Sequence, residues 1–455
     1  MNRIVPILVL AGLALACTRE SAPAAMFPDY SGVTVPCNIA PLNFHYSGAG
    51  RPGATTFSAG SASYRARGRQ VRIPQARWNS LLEAAKGGSI KVENRLTGPW
   101  EILVSADSID SYLTYRLIEP GYEVWNKVEI RERNISSFSE RTISSWKNTG
   151  NACMNCHIHK GGNSLFYLRG KGGGAIYNHG GALSKLSLKA EGMISGTVYG
   201  DIHPSGRWGV FSANVIIPSF HTEGSRRFEV YDSASDLCVA ELTTGTMLQQ
   251  AEYARPDVFE TFPCFSADGC KIFYCAADTV TLPRDIRKLR YSLISAPFDS
   301  ETGHIGPAEV IWDAGQRKAS VCHPKSSPDG KWLLYTVSDY GTFPIWHREC
   351  GLELMDLATG ATRMLDEVNS DRSDTYHSWS SNSRWFVFAS KRGDGQYGRP
   401  WICHVGEDGR CGKPFILPQQ DPHHYEDCFK SYNIPDLGAA PVPYDWEDIP
   451  GIIKQ

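Results

Sequence analysis

Residues 153–157 read Cys153-Met154-Asn155-Cys156-His157, a C-x-x-C-H pattern. Two thiols at this spacing can add to the two vinyl groups of a haem, while the adjacent imidazole reaches the iron from one face. The expected cofactor is therefore one covalent c-type haem, anchored by Cys153 and Cys156, with His157 as proximal ligand. Met193 and His179 are the candidate distal ligands, and an open or water-occupied sixth position fits equally. His159 is too close in sequence to His157 to reach the opposite face. Arg169 and Lys171 flank Gly170 in a glycine-rich stretch and could pair with haem propionates. That stretch is not a P-loop, because no Lys-Ser/Thr follows its last glycine, and it reads otherwise as a hairpin turn. Three other chemistries suit the two cysteines: a local disulfide, a thioredoxin-like redox pair and a zinc site. No βαβ pattern supports the second, and no further C-x-x-C or H-x-x-x-H supports the third.

Haem of this kind is attached outside the cytoplasm, and the start of the chain agrees. Arg3 is followed by a short apolar run, Ile4 to Ala16, ending in Ala14-Leu15-Ala16. That is a signal-peptide pattern over residues 1–25, too short for a bilayer span. Cys17 stands where a lipoprotein signal places its acylated cysteine, although Ala14 and Leu15 are atypical. Lipidation there would tether the mature protein to a membrane leaflet. The expected location is the periplasm or cell envelope, where some of the 13 cysteines should pair. A formal net charge of -2 and the lack of a basic stripe exclude nucleic acid as a partner class.

The elements that must position these residues are repeats. Four segments join a small polar turn to an apolar-aromatic strand: Pro204–Phe211, Ser266–Tyr274, Ser327–Tyr335 and Ser381–Phe388. In Ser327-Pro328-Asp329-Gly330, Pro presets one dihedral, Asp bonds its own backbone and Gly accepts positive φ. Alternating strands such as Phe228–Asp232 and Leu352–Leu357 lie between the turns. Each unit of roughly 50–60 residues thus holds about four strands, one propeller blade. The units resemble TolB-type β-propeller repeats, which are WD-like, over about residues 165 to 430. The best match is Ser327-Pro328-Asp329-Gly330-Lys331-Trp332. Asn382-Ser383 replaces Asp-Gly in the fourth unit, and the first lacks the acid. The resemblance implies an all-β fold and no settled reaction.

The expected order is a leader (1–25), a small antiparallel β-sandwich-like domain (27–130), a linker carrying the haem motif (131–164), a propeller (165–435) and a Pro-rich tail (436–455) wrapping the surface. Six blades is the best count, with a strand near Ser431–Ile434 closing the ring. Residues 77–86 suit a short helix within the N-terminal domain. His203, His323 and His377 precede the turns; they read as structural histidines bonding backbone, with a three-histidine metal site as the alternative. Asp339-Tyr340-Gly341, Trp346-His347 and Tyr376–Trp379 have the mixed aromatic and polar character of binding pockets. No G-x-S-x-G elbow or H-E-x-x-H helix is present. The leading expectation is a monohaem cytochrome-like protein transferring electrons to a partner docked on the propeller. The alternatives are a non-haem propeller lipoprotein binding a glycan, peptide or protein, and a haem-dependent or propeller-based enzyme.

Overall fold

The computed structural model describes residues 26–48, 50–119, 127–150, 153–169, 174–220 and 228–454. The expected leader with Cys17 lies outside them, as do Lys171 and the side chains of Cys153 and Arg169. Among the described residues no helix is long and apolar enough to cross a membrane.

Six antiparallel sheets follow one another along the chain. Blade 1 holds Cys153–Lys160, Asn163–Arg169, Gly174–His179 and Ala182–Leu186, in that order from one edge. Blades 2 to 5 begin with Thr197–Ile202, Val258–Phe265, Ser320–Ser326 and Asp374–Trp379. Blade 6 is composite. Its order is Ser431–Gly438, Tyr112–Ile118, Glu129–Asn134 and Glu140–Ser145, so the end of the chain supplies the strand that completes the sheet. The first strand of each blade also contacts the first strands of both neighbours, which closes a ring of six. The chain is a six-bladed β-propeller.

Two expected boundaries are corrected by this topology. The propeller starts at Tyr112, because Tyr112–Ile118 pairs with Ser431–Gly438 through Leu117↔Tyr432, Arg116↔Asn433 and Leu113↔Leu437. The C-x-x-C-H residues therefore lie on the inner strand of blade 1 and not in a linker. The tail does not wrap the surface either. Val442, Tyr444, Ile449 and Ile452 are buried with Ile130, Ile143, Phe166 and Ile176, filling the seam between blades 6 and 1.

The turn chemistry read from the repeats operates as expected. Ser327 Oγ donates to Asp329 Oδ1 at 2.6 Å and accepts from Trp332 N at 2.9 Å, while Gly330 takes φ 72°. Ser266 and Asp268 repeat the arrangement in blade 3. Where the fourth unit lacks glycine, Ser383 itself adopts φ 59°, and Asn382 Oδ1 accepts from Arg384 N in place of the aspartate.

The N-terminal domain occupies residues 26 to about 110. Its main sheet has the order Thr34–Val35, Gly98–Val104, Ser89–Asn94, Ala54–Ala59, Ala62–Arg67, and the first pair is parallel. The helix Gln75–Ala85 buries Trp78, Leu81, Leu82 and Ala85 in the same core, and a three-stranded sheet (Met26–Phe27, Phe44–Tyr46, Gln70–Val71) adds Phe44 and Tyr46. The expected antiparallel sandwich is thus replaced by a mixed sheet with a helix packed into its core. This core is continuous with Trp385, Ile402, Phe415 and Leu417 of blade 5, so the domain is fastened to the side of the propeller. Polar contacts add to the joint: Lys413 Nζ donates to Asp29 Oδ2 at 2.8 Å, and Ser381 Oγ donates to Asp110 at 2.6 Å.

Blade 2 carries a long hairpin, Trp208–Phe220 with Phe228–Glu241. At its base Asn214 Nδ2 donates to Asp232 Oδ2 at 2.9 Å, while Asp232 Oδ1 is buried with no hydrogen bond. Burial pushes the Asp232 carboxyl up to about 7, although Asn214 opposes the shift. A raised carboxyl stabilises the fold below its unfolded pKa, and that contribution is lost as pH rises through the folded value. Asp232→Asn is therefore expected to raise stability at pH 8 by about 2 kcal/mol or more, at about 1.4 kcal/mol per pKa unit. The gain should vanish by pH 4. Urea midpoints at the two pH values check this, and a destabilised variant at pH 8 would refute it.

Candidate functional site

The inner strands meet around a central channel, and each breaks its ladder at an equivalent point. Register shifts follow Met154, Thr197, Thr261, Cys322, Thr375 and Asn433. In blades 3 to 6 the bulged residue is left-handed although it is not glycine: Phe262 (φ 51°), His323 (φ 53°), Tyr376 (φ 49°) and Ile434 (φ 49°). Each such residue costs of order 1–3 kcal/mol, so the surrounding ring must hold it there. The effect is to re-aim one large side chain per blade, because a bulge shifts the in-out alternation of a strand. All four line the channel.

Three of the re-aimed side chains form an arc with Tyr199 of blade 2. Tyr199 and Phe262 have ring centroids 4.2 Å apart, Phe262 and His323 4.3 Å, and His323 and Tyr376 4.6 Å. Beside this arc runs a row of charges. Lys160 Nζ lies 2.6 Å from Asp201 Oδ2, which also accepts from Phe265 N at 2.9 Å. Burial alone would raise the Asp201 pKa, but Lys160, Lys325 and the Phe265 amide hold it below the ordinary carboxylate range. Burial likewise works against the Lys325 ammonium, and Asp201 and Asp436 more than offset it, so its pKa stands above the ordinary lysine value. The channel thus carries an aromatic arc next to alternating fixed charges.

The histidines that precede the turns hold the ring together. His377 Nε2 donates to the Leu334 carbonyl of blade 4 at 2.8 Å. His203 Nδ1 bonds Ser205 at 2.8 Å and its ring packs over the Gly269 turn, where a Cβ would lie 2.0 Å from Nε2. That position admits only glycine. His323 pairs with Thr375 at 3.3 Å. His347 is also buried: its Nε2 lies 2.9 Å from Glu229 Oε1, and Tyr340 donates to Glu229 Oε2 at 3.0 Å, which ties the blade 2 hairpin to blade 4. Of the pockets expected from aromatic-polar composition, Tyr376 with His377 and Ser378 does line the channel.

A haem would need an open slot beside His157, and the residues do not fit one. His157 is 4% exposed and Cys156 8%. The His157 ring stacks on Phe166 with centroids 5.9 Å apart, lies 5.7 Å from His159, and has the Thr114 and Ile434 carbonyls facing it. Burial, His159 and Arg116 hold its pKa well below the ordinary histidine range. The Arg116 guanidinium reaches to 3.9 Å from Cys156 Sγ. The candidate distal ligands are committed elsewhere. Met193 Sδ accepts from Ala190 N at 3.1 Å in the core between blades 1 and 2. His179 bonds Asn163 at 3.0 Å and packs against the Gly206 turn. A pyridine haemochrome spectrum of acid-acetone-washed protein, expressed with a haem-maturation system, is accordingly expected to show no c-type α-band. A band that disappears in Cys156→Ala would overturn this.

No family model matches the chain, and no curated protein is similar to it. Structural likeness runs to β-propeller proteins. TolB from Acinetobacter baumannii superposes over 80% of this chain and 85% of its own, with TM-score 0.46 and 12% identity. An oligogalacturonate lyase in complex with manganese covers 68% of this chain and 74% of its own, at TM-score 0.37 and 14% identity. A puromycin-hydrolysing peptidase of Mycobacterium tuberculosis covers 59% of this chain, which spans 39% of that enzyme, at TM-score 0.36 and 14% identity. At these distances the likeness is one of architecture, and the blade count rests on the sheet order above.

Proposed function

We propose that this protein is a binding module of the bacterial envelope whose propeller channel receives a peptide or protein segment presenting an apolar side chain beside a carboxylate. The observation that supports this reading is the arc Tyr199–Phe262–His323–Tyr376 set next to Lys325. Interface pockets combine an apolar wall with a few fixed polar groups, and aromatic residues dominate their energetics. The strain accepted at Phe262, His323 and Tyr376 to aim three of these side chains is the kind of cost that persists at functional sites. A leader of lipoprotein type and Cys17 support an envelope location with a lipid anchor. Electron transfer does not enter this reading, because His157 is enclosed by the fold.

Calorimetric titration with an acetylated tripeptide ending in Phe tests it. The free carboxylate form should bind and its amide should bind more weakly. Tyr376→Ala should weaken the free form by about 5- to 30-fold, the loss expected for an aromatic contact worth about 1–2 kcal/mol. Equal binding of acid and amide, or binding of a neutral oligosaccharide alone, would sink the proposal.

A further inference from the structure

Far from the channel, three side chains from distant parts of the sequence converge where the N-terminal domain meets the propeller. His45 lies in the small sheet, on the strand Phe44–Tyr46. His423 and Glu426 lie on the segment between blade 5 and the closing strand, at the entry to the short helix His424–Asp427. Their i, i+3 spacing on a helical turn puts both on one side. His45 Nε2 is 3.0 Å from Glu426 Oε2, and His423 Nδ1 is 2.6 Å from the same oxygen. The two imidazole rings stack with centroids 4.0 Å apart.

This cluster is more than a chance surface contact. His45 is 7% exposed, and its Nε2 is buried without a hydrogen bond, although it points at the shared carboxylate. Its partner at 3.0 Å is thus the Glu426 carboxylate, met without the alignment of a hydrogen bond, and a cation between the two would satisfy both. The backbone around the site is fixed on both sides: Asp421 Oδ1 accepts from His423 N at 3.2 Å, and Arg72 of the N-terminal domain pairs with Asp421 at 3.2 Å. Two imidazole nitrogens and one carboxylate oxygen are a donor set that suits zinc. Around a tetrahedral zinc such atoms sit about 3.3 Å apart; the two separations to the carboxylate oxygen are close to this, and all three donor atoms lie within 4.8 Å of one another. His423 and Glu426 are 36% and 46% exposed, which leaves the fourth position towards solvent.

The geometry points to a binding site for one zinc-type divalent cation held by His45 Nε2, His423 Nδ1 and Glu426 Oε2. The ion pins the N-terminal domain to the segment that delivers the closing strand. It would thereby clip a loop spanning most of the chain, the arrangement in which a cross-link restrains the unfolded state most.

The test uses the full-length chain, stripped with EDTA and titrated with zinc chloride by calorimetry, with melting followed in parallel. One equivalent should bind, and the melting temperature should rise with zinc concentration. His423→Ala and Glu426→Gln each alter a partly exposed side chain and should fold. Each should weaken zinc binding by at least about tenfold, since even outer-sphere changes cost 10–100-fold. The exposed His304→Ala serves as control and should bind as the parent does. No zinc binding, or binding unchanged in both His423→Ala and Glu426→Gln, would overturn the assignment.

Discussion

A chain ending at Lys430 is expected to have no cooperative fold. Its missing strand, Ser431–Gly438, is the innermost strand of blade 6 and the one that packs against the inner strands of blades 5 and 1. Tyr432 packs on Tyr115 with ring centroids 4.7 Å apart, and Leu437 lies in the core shared with the N-terminal domain. The segment beyond it buries Val442, Tyr444, Ile449 and Ile452. Glu132, 3% exposed, would lose the Val442 amide it accepts from at 2.6 Å. Six large side chains at about 1.5–3 kcal/mol each come to roughly 10 kcal/mol or more. That matches the whole stability of a typical domain, about 5–15 kcal/mol. Urea unfolding followed by circular dichroism should show no sigmoidal transition for the truncated chain. Leu437→Ala, which keeps the strand, should fold and lose about 2–5 kcal/mol. A truncated chain that unfolds at the parent's midpoint would show that the ring closes without this strand.

The same strand marks what was legible in the sequence. Turns that carry Ser-x-Asp-Gly chemistry announce blades 3 and 4 directly, because side-chain hydrogen bonds and a left-handed glycine specify them locally. The closing strand near Ser431–Ile434 was legible from its place alone, as the strand after blade 5 in a ring that has to close. Tyr112–Ile118 and its two followers were not readable as a blade. Their turn is built from Asn134, whose Oδ1 accepts from Ser136 N at 2.9 Å, and it lacks the Asp-Gly pair. Their inner partner lies some 300 residues away, beyond any local pattern.

The channel was only half visible. His323 and Tyr376 share a repeat position in the sequence, and the structure shows why: both are bulge residues. The fuller signal was present in Thr261-Phe262-Pro263-Cys264, Cys322-His323-Pro324-Lys325, Thr375-Tyr376-His377-Ser378 and Asn433-Ile434-Pro435-Asp436. A large residue follows a small polar one in each, and proline comes next in three. The C-x-x-C-H pattern occupies the equivalent position in blade 1, where Cys156 corresponds to those prolines and His157 to Lys325. A short motif reports spacing, and the burial of its histidine depends on strands that the spacing does not encode. The His45, His423 and Glu426 cluster is the extreme case, since only the docking of the N-terminal domain brings its members together.

Mild acid should unfold the protein, and His377 accounts for a measurable share. His377 is 3% exposed, and burial depresses its pKa to about 3, although the Leu334 carbonyl opposes the shift. Burial also holds His157 and His323 well below the ordinary range, and His159, His203, His404 and His424 below it to varying degrees. A depressed histidine is neutral in the fold but charges in the unfolded chain near pH 6.5. Its contribution is present above that value and is lost as pH falls towards the folded pKa. Four carboxyls oppose the trend. Glu140, Asp232, Asp236 and Glu260 are raised by burial, so the folded chain takes up their protons first and gains stability on acidification. The seven histidines outnumber the four carboxyls, so net proton uptake on unfolding is expected between pH 6.5 and about 4.5, with stability falling across that window. For His377 alone the loss between pH 6 and pH 4 is about 2.5 kcal/mol, at 1.4 kcal/mol per pKa unit. His377→Gln keeps a donor towards the Leu334 carbonyl but does not titrate. Its urea midpoint should sit below the parent's at pH 8 and fall less steeply, with the two curves converging by pH 4. Parallel curves over that range would mean that His377 takes up its proton without unfolding the ring.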